Sequence, residues 1–483
     1  MSNINRKKNQ HLLWRAGFGP MAENIAQLNV LTQKELWQKL VTTSADVPAK
    51  INLATNPFSV LKNGNEEGET MKPIDKEDAI SKKILNQKYR DELKDMNIAW
   101  LNQMIHSKAQ LREKMAFFWH GHFACRSRNA FFAQELLNII KEKTLGNFGD
   151  MLRAVSKSPA MLQFLNNQQN RKGKPNENFA REVMELFTLG RGNYTENDIK
   201  ESARAFTGWT FNKNGQFAFK QKIHDDGVKS FLGQTGNFNG DDIIDILLKQ
   251  KQTATFITKK IYKYFVNEKI DDTKIDYLST RFFKNNYNIL NLLTDIFTST
   301  WFYNDKNIGT KIKSPIELLV GLRRYLPLQM DNEDSQLLFQ KVLGQTLFYP
   351  PNVAGWPGGK NWIDSSTLML RLQIPKNISN KDIIDIKPKD DDDTNMGMKE
   401  EKKIAEIRKP NGASSTINWD LIIKNFEEIA RPQLLETIEQ TLLQTKTKVD
   451  DKILSKYLNN DSRENFIKSV VINVMSTPEY QMC

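Results

Sequence analysis

The chain has 483 residues, 39% of them hydrophobic and 26% charged, which suits a globular protein with a real core. Its net charge of +12, from 69 Lys and Arg against 57 Asp and Glu, is a modest excess that favours acidic partners in general. No dense basic block interleaved with aromatics occurs, which argues against a dedicated nucleic-acid module. Two cysteines make no disulfide framework. No apolar run approaches the roughly 18 residues of a membrane span, and the N-terminal MSNINRKKNQHLLWRAGFGP has no signal-peptide core. The expectation is a cytoplasmic protein without a membrane span.

In chain order, residues 44–76 are rich in Asn, Gly, Pro and Glu and read as a surface excursion. Leu85, Tyr89, Leu93, Met96, Trp100 and Met104 recur at steps of four or three, which predicts one face of a long helix over 81–106. AQLREKMAFFWH and FFAQELLNIIKEKT read as two more helices. Thr195 with Asp198 three positions on predicts a capped helix start in NYTENDIKESARAF. WTFNKNGQFAFKQ, alternating around Asn-Gly, predicts a hairpin. Further helices are expected at 241–250, 253–267, 287–300, 315–326, 334–346 and 362–372. Residues 376–415, with KPKDDDDTNMGMKEEKK, read as a flexible linker or insertion before a C-terminal helical segment at 416–483. The expected fold is mainly α: a large irregular helical bundle over 1–375 with one small β-hairpin, and a C-terminal helical segment packing on it.

Three constellations carry chemistry. FFWHGHF spends two of only five histidines, His120 and His122, on one short stretch. Adjacent-but-one positions diverge by about 200° on a helix, and Gly121 between them suggests that the helix ends there. At an irregular end both rings could turn toward one point, as in some metal sites; proton transfer and core packing fit the same residues. His11 in HLLWRAGFG and His224 in HDDG are further candidates, with Asp225 as a possible orienting carboxylate for His224. The second constellation is PNENFAREVMELFTLGRG. Asn176 is a plausible N-cap, Phe179, Val183, Leu186 and Phe187 share one arc, and Glu177, Asn178, Arg181, Glu182 and Glu185 share the other. That polar arc is either a solvated ion-pair stripe or a cleft face on which Arg181 clamps an anion while Glu182 or Glu185 serves as acid/base or metal ligand. The third is FYPPNVAGWPGGKNW, a stiff loop whose Trp356 or Trp362 either stacks on a ligand or closes the core.

Taken together, HLLWRAGFGP, FFWHGHF, PNENFAREVMELFTLGRGNYTENDI, ARAFTGW, HDDGVKSFLG, SPIELLVGLRR and LGQTLFYPPNVAGWPGGKNW, in this order, resemble the bacterial family called domain of unknown function 1800, over roughly residues 10–375. The resemblance implies a largely helical protein, often encoded beside a protein similar to the sulfatase and alkaline-phosphatase superfamily. It places His11, Arg15, His120, His122, Asn178, Arg181, Glu182, Glu185, Arg204, Trp209, His224, Asp225, Asn352, Gly355 and Trp356 in family motifs.

Two readings follow. The first is a hydrolase-like enzyme. His122, Arg181, Glu182, Glu185 and Asp225 would be its catalytic groups, and Arg15, Asn178, Arg204, Trp209, Asn352 and Trp356 would bind substrate. His11, His120, His122 and His224 would hold a divalent metal. The second is a non-catalytic accessory or binding protein that partners the sulfatase-like neighbour, with the same residues as a buried structural network.

Overall fold

The computed structural model describes residues 2–56, 76–212, 214–330, 333–380 and 415–483. Most of the expected excursion at 44–76 and of the expected insertion at 376–415 lies outside the described residues. The architecture is mainly α, with small antiparallel strand pairs.

The helices used below are α1 (Ser2–Ala16), α2 (Lys76–His106), α3 (Gln110–His122), α4 (Ala130–Lys143), α5 (Glu177–Glu182), α6 (Glu196–Ala205), α7 (Lys251–Phe265), α8 (Pro315–Tyr325), α9 (Ser365–Asn380) and α10 (Arg463–Met475). Their starts follow local chemistry. Asn129, Asn176, Thr195 and Ser314 each cap a first-turn backbone N–H, and Thr195 with Asp198 and Ser314 with Glu317 close full capping boxes. The apolar stripe read in 81–106 is buried from Leu93 onward, whereas Leu85 stays exposed.

Helix α3 runs through the middle of the larger core, and every one of its side chains is buried apart from the Gly121 position. Charges on such a helix need partners. Arg112 donates to the carbonyls of Ser44, Ala45, Lys141 and Glu142, where a cation also favours the C-terminal ends of two helices. Glu113 pairs with Lys141 at 2.9 Å and accepts from Trp100 Nε1 at 3.0 Å.

The predicted hairpin forms between β1 (Trp209–Phe211) and β2 (Phe217–Phe219), with Trp209 opposite Phe219. The expectation of a single hairpin was too low. A second joins β3 (Lys229–Phe231) to β4 (Gln234–Gly236) through Leu232 and Gly233, both at positive φ. These strands are too short for periodicity to reveal. A third pair joins β5 (Leu328–Met330) to β6 (Ser415–Ile417).

Buried residues fall into two cores. The larger is built around α2–α7 and extends to Leu347 and Phe348. The smaller combines Ala22–Leu28, part of α8, α9 and residues 422–480, so the C-terminal helices share their core with 318–378. Gly321 of α8 lies where the cores meet: a Cβ there would fall inside the contact distance of the Trp14 ring. Gly321→Ala is expected to destabilise the protein, because overpacking a rigid, buried indole costs about 1–3 kcal/mol and outweighs a helix-propensity gain of at most about 1 kcal/mol. A urea midpoint equal to or above that of the wild type would contradict this packing.

Candidate functional site

The four candidate histidines occupy four separate surroundings. His120 turns under the loop that follows Phe348. Its Nε2 accepts the Phe348 backbone N–H at 3.2 Å, and its ring packs on Trp100, Phe348 and Trp356. His122 points elsewhere: Lys260 Nζ lies 3.2 Å from its Nδ1, and Phe118, Trp119, Phe123, Phe148 and Phe187 surround it. His11 packs on Phe302 and faces Gln444. His224 is fixed through Nδ1 by the Thr207 carbonyl and hydroxyl, so Asp225 does not orient it as the sequence suggested. Among the described residues no group of three or more His, Cys, Asp or Glu side chains is placed to hold a metal ion. The histidines are therefore not gathered as expected. The helix does end at His122, but it stays regular that far, and the 200° divergence of alternate positions keeps the rings apart.

The buried imidazoles have a measurable consequence. Burial drives the pKa of His120 down to about 3 and those of His11 and His122 well below the usual value; nearby Arg15 and Lys260 add to the effect on His11 and His122 respectively. The unfolded chain takes up protons on these rings near pH 6.5 and the native chain does not. Their contribution is thus fully present above pH ~6.5 and is lost as pH falls toward the native values, by up to ~1.4 kcal/mol per pH unit for each ring. Urea midpoints should fall between pH 7 and 5, and His120→Gln should make that slope shallower. A flat profile over this window would contradict neutral burial.

The other predicted binding residues are dispersed as well. Trp209 is buried among Phe179, Phe206 and Phe217, so no face is free for substrate. Arg204 grips Asp225 through Nε and Nη2 and pairs with Glu201 through Nη1, and this partnership drives the Asp225 carboxyl down to about 2. Both are thus engaged with each other. Asn352 makes a turn onto Ala354 and Gly355, Trp356 covers His120, Asn178 is exposed at the start of α5, and Arg15 is fully buried. Gly355, at φ +84°, lets this loop close against the Gly121 carbonyl at the end of α3.

Part of the polar arc of α5, Arg181 and Glu182, lines an open cleft, while Arg181 also pairs with Glu177 one turn back, as an ion-pair stripe would. Asn176 caps the helix, and Phe179, Val183 and Phe187 bury the opposite arc. After Glu182 the backbone widens into a π-helical segment, Val183–Thr188. The Thr188 hydroxyl and the backbone N–H groups of Leu189 and Gly190 bond back to Val183 and Met184, and Lys260 Nζ takes the Leu186 carbonyl at 3.0 Å. Such segments recur at functional sites. This one places Glu182 and Glu185 on the wall of an open cleft of about 560 Å³, completed by Arg181, Arg191, Gly192, Tyr194 and Glu196.

The charges in the cleft are unevenly committed. Arg181 is held bidentately by Glu196, at 3.0 Å through each terminal nitrogen, and also reaches Glu177; its fork is therefore filled and does not stand open as an anion clamp. Glu185 accepts from Tyr194 and Arg191, which hold its carboxyl below the usual value, the tyrosine hydrogen bond being the larger influence. Glu182 makes no hydrogen bond or ion pair among the described residues, and partial burial, followed by the negative Glu185, raises its pKa. Sequence spacing identified Arg181, Glu182 and Glu185. It missed Arg191, Tyr194 and Glu196, although all three lie in the adjoining stretch RGNYTE.

No helix among the described residues is long and apolar enough to cross a membrane. The family described as "Protein of unknown function (DUF1800)" matches residues 11–482, nearly the whole chain. No curated protein and no solved structure matches.

Proposed function

From the premise that the chain belongs to the DUF1800 family of proteins of unknown function, we propose that the cleft beside the π-helical segment is a hydrolase-like active site with Glu182 as its proton-transfer group. The observation that carries this reading is the divergence of two neighbouring carboxyls: Glu182 is raised and unpaired among the described residues, Glu185 paired and lowered. Two acids whose surroundings push them apart are the arrangement that divides general acid/base work from charge stabilisation. Protonated Glu182 donates to a leaving group, and its conjugate base takes the proton from the attacking water. Glu185, held ionised, stabilises positive charge that develops beside it. The arginines of the cleft are already neutralised by carboxylates, which favours a neutral polar substrate bearing hydroxyl or amide groups over an anion.

The buried free thiols Cys125 and Cys483 fit a reducing compartment, and the cytoplasm is where we place this activity. The test is a panel of neutral chromogenic glycosides, esters and anilides assayed with wild type and Glu182→Gln. Hydrolysis of one class by the wild type and its loss in the variant supports the site; no turnover of any class, or equal turnover by the variant, overturns it.

A second reading is favoured by the pairing of Arg181, Arg204 and Asp225 with other protein groups: an accessory protein that partners a sulfatase-like enzyme, with these residues as framework. It gains if the panel is negative and the purified chain binds such an enzyme.

A further inference from the structure

Where the two cores meet, Arg15, Lys114, Lys313 and Arg371 are all fully buried, and Lys311 is nearly so. They are linked through shared partners. Lys114 and Lys311 share Glu317, Lys313 lies over the Trp14 and Tyr480 rings, and Arg371 Nη1 donates to the Lys313 carbonyl at 2.9 Å. Glu317 is the buried carboxylate among them, with Cys483 as a further negative neighbour of Arg15, Lys114 and Lys313. Burial lowers Lys114 to about 8 and Lys313 to about 7, which relieves part of the buried positive charge; the guanidinium groups of Arg15 and Arg371 have no such release and need acceptors.

The same seam concentrates unpartnered polar atoms. Arg371 Nε and Nη2, Arg15 Nε and Nη1, the Tyr480 hydroxyl and both side-chain polar atoms of Gln481 are buried without a hydrogen-bond partner among the described residues. Native interiors satisfy nearly all such groups with protein, water or ions. The Arg371 pair is the informative one. Nε and Nη2 form the side edge with which Arg204 grips Asp225 and Arg281 grips Asp295 in this same chain. In Arg371 that edge is buried and has no acceptor among the described residues.

We infer that a small oxyanion, presenting two acceptor oxygens in the manner of a phosphate, sulfate or carboxylate group, binds at the Arg371 edge within this cationic seam and joins the two cores. It lies apart from the cleft at Glu182 and does not depend on the reading of that cleft.

The experiment uses the full chain purified in chloride. Ion chromatography after denaturation reads any oxyanion already bound, and thermal unfolding is then followed with added inorganic phosphate, sulfate or acetate at constant ionic strength. Arg371→Lys, which keeps the charge and loses the fork, and Arg281→Lys, which alters a surface fork, are run in parallel. The expected result is one of two: about one oxyanion per chain released from the wild type, its identity naming the source, or a concentration-dependent rise of the midpoint by a few degrees. In either case the effect is lost in Arg371→Lys and kept in Arg281→Lys. No released oxyanion together with no rise specific to the wild type and Arg281→Lys would overturn the inference, as would an unchanged response in Arg371→Lys. Should Arg371→Lys fail to fold, the wild-type release and midpoint measurements still decide.

Discussion

Replacing Glu317 with alanine is expected to cost at least about 3 kcal/mol, and the protein is expected to unfold at markedly lower denaturant. Removal of one partner from a buried ion pair costs about 3–5 kcal/mol, because the other charge is left without compensation. Here one carboxylate serves several groups at once. Its Oε1 receives Lys114 Nζ at 2.5 Å and Lys311 Nζ at 2.7 Å, while Oε2 accepts the Ser314 backbone N–H at 2.8 Å to complete the capping box of α8. Burial alone would raise this carboxyl, but Lys114 and Lys311 hold it well below the usual range. Glu317→Gln keeps the capping acceptor and loses the charge, so it should fall between wild type and Glu317→Ala. Equilibrium urea unfolding with both variants checks the ordering; a loss below about 1 kcal/mol for Glu317→Ala would show that the lysines find other partners.

The second large effect is at Glu182. If it moves a proton in the reaction, Glu182→Gln should lower kcat by about 10²–10⁴-fold, while the fold should be almost untouched, within about 0.5 kcal/mol, since the side chain lies on a cleft wall and makes no hydrogen bond or ion pair among the described residues. Glu185→Gln should act differently. It leaves one of the two oxygens that accept from Tyr194 and Arg191 and removes the negative charge that helps raise Glu182, so the limb of the pH profile set by Glu182, the alkaline limb for a group that must start protonated, should move to lower pH. A purely structural role for Glu185 would change stability without moving that limb.

Much of this fold was legible in the sequence, and the reason lies in local physics. The Thr195–Asp198 capping box, the Asn176 cap, the α5 arcs and the β1–β2 hairpin each depend on residues a few positions apart. The π-helical widening was not legible, because it depends on the Thr188 hydroxyl and on Lys260, which comes from a different helix. Nor was the separation of His120 and His122. Each ring is placed by its own set of distant aromatics, Phe348 and Trp356 for one and Phe148 and Phe187 for the other. The Lys114–Glu317 pair joins positions some two hundred residues apart, a separation that no local pattern reveals. The paired histidines of FFWHGHF thus mark the end of α3 and the contact with the Gly355 loop, while the carboxyl pair that diverges in acidity lies on another helix.

The most direct test of the central claim is to titrate the glutamate carboxyls of the purified chain by carbon-13 NMR, with Glu182→Gln and Glu185→Gln assigning the two signals. The account predicts that Glu182 titrates above the ordinary glutamate value and Glu185 below it. Coincident titrations, or Glu182 at or below the ordinary value, would contradict it.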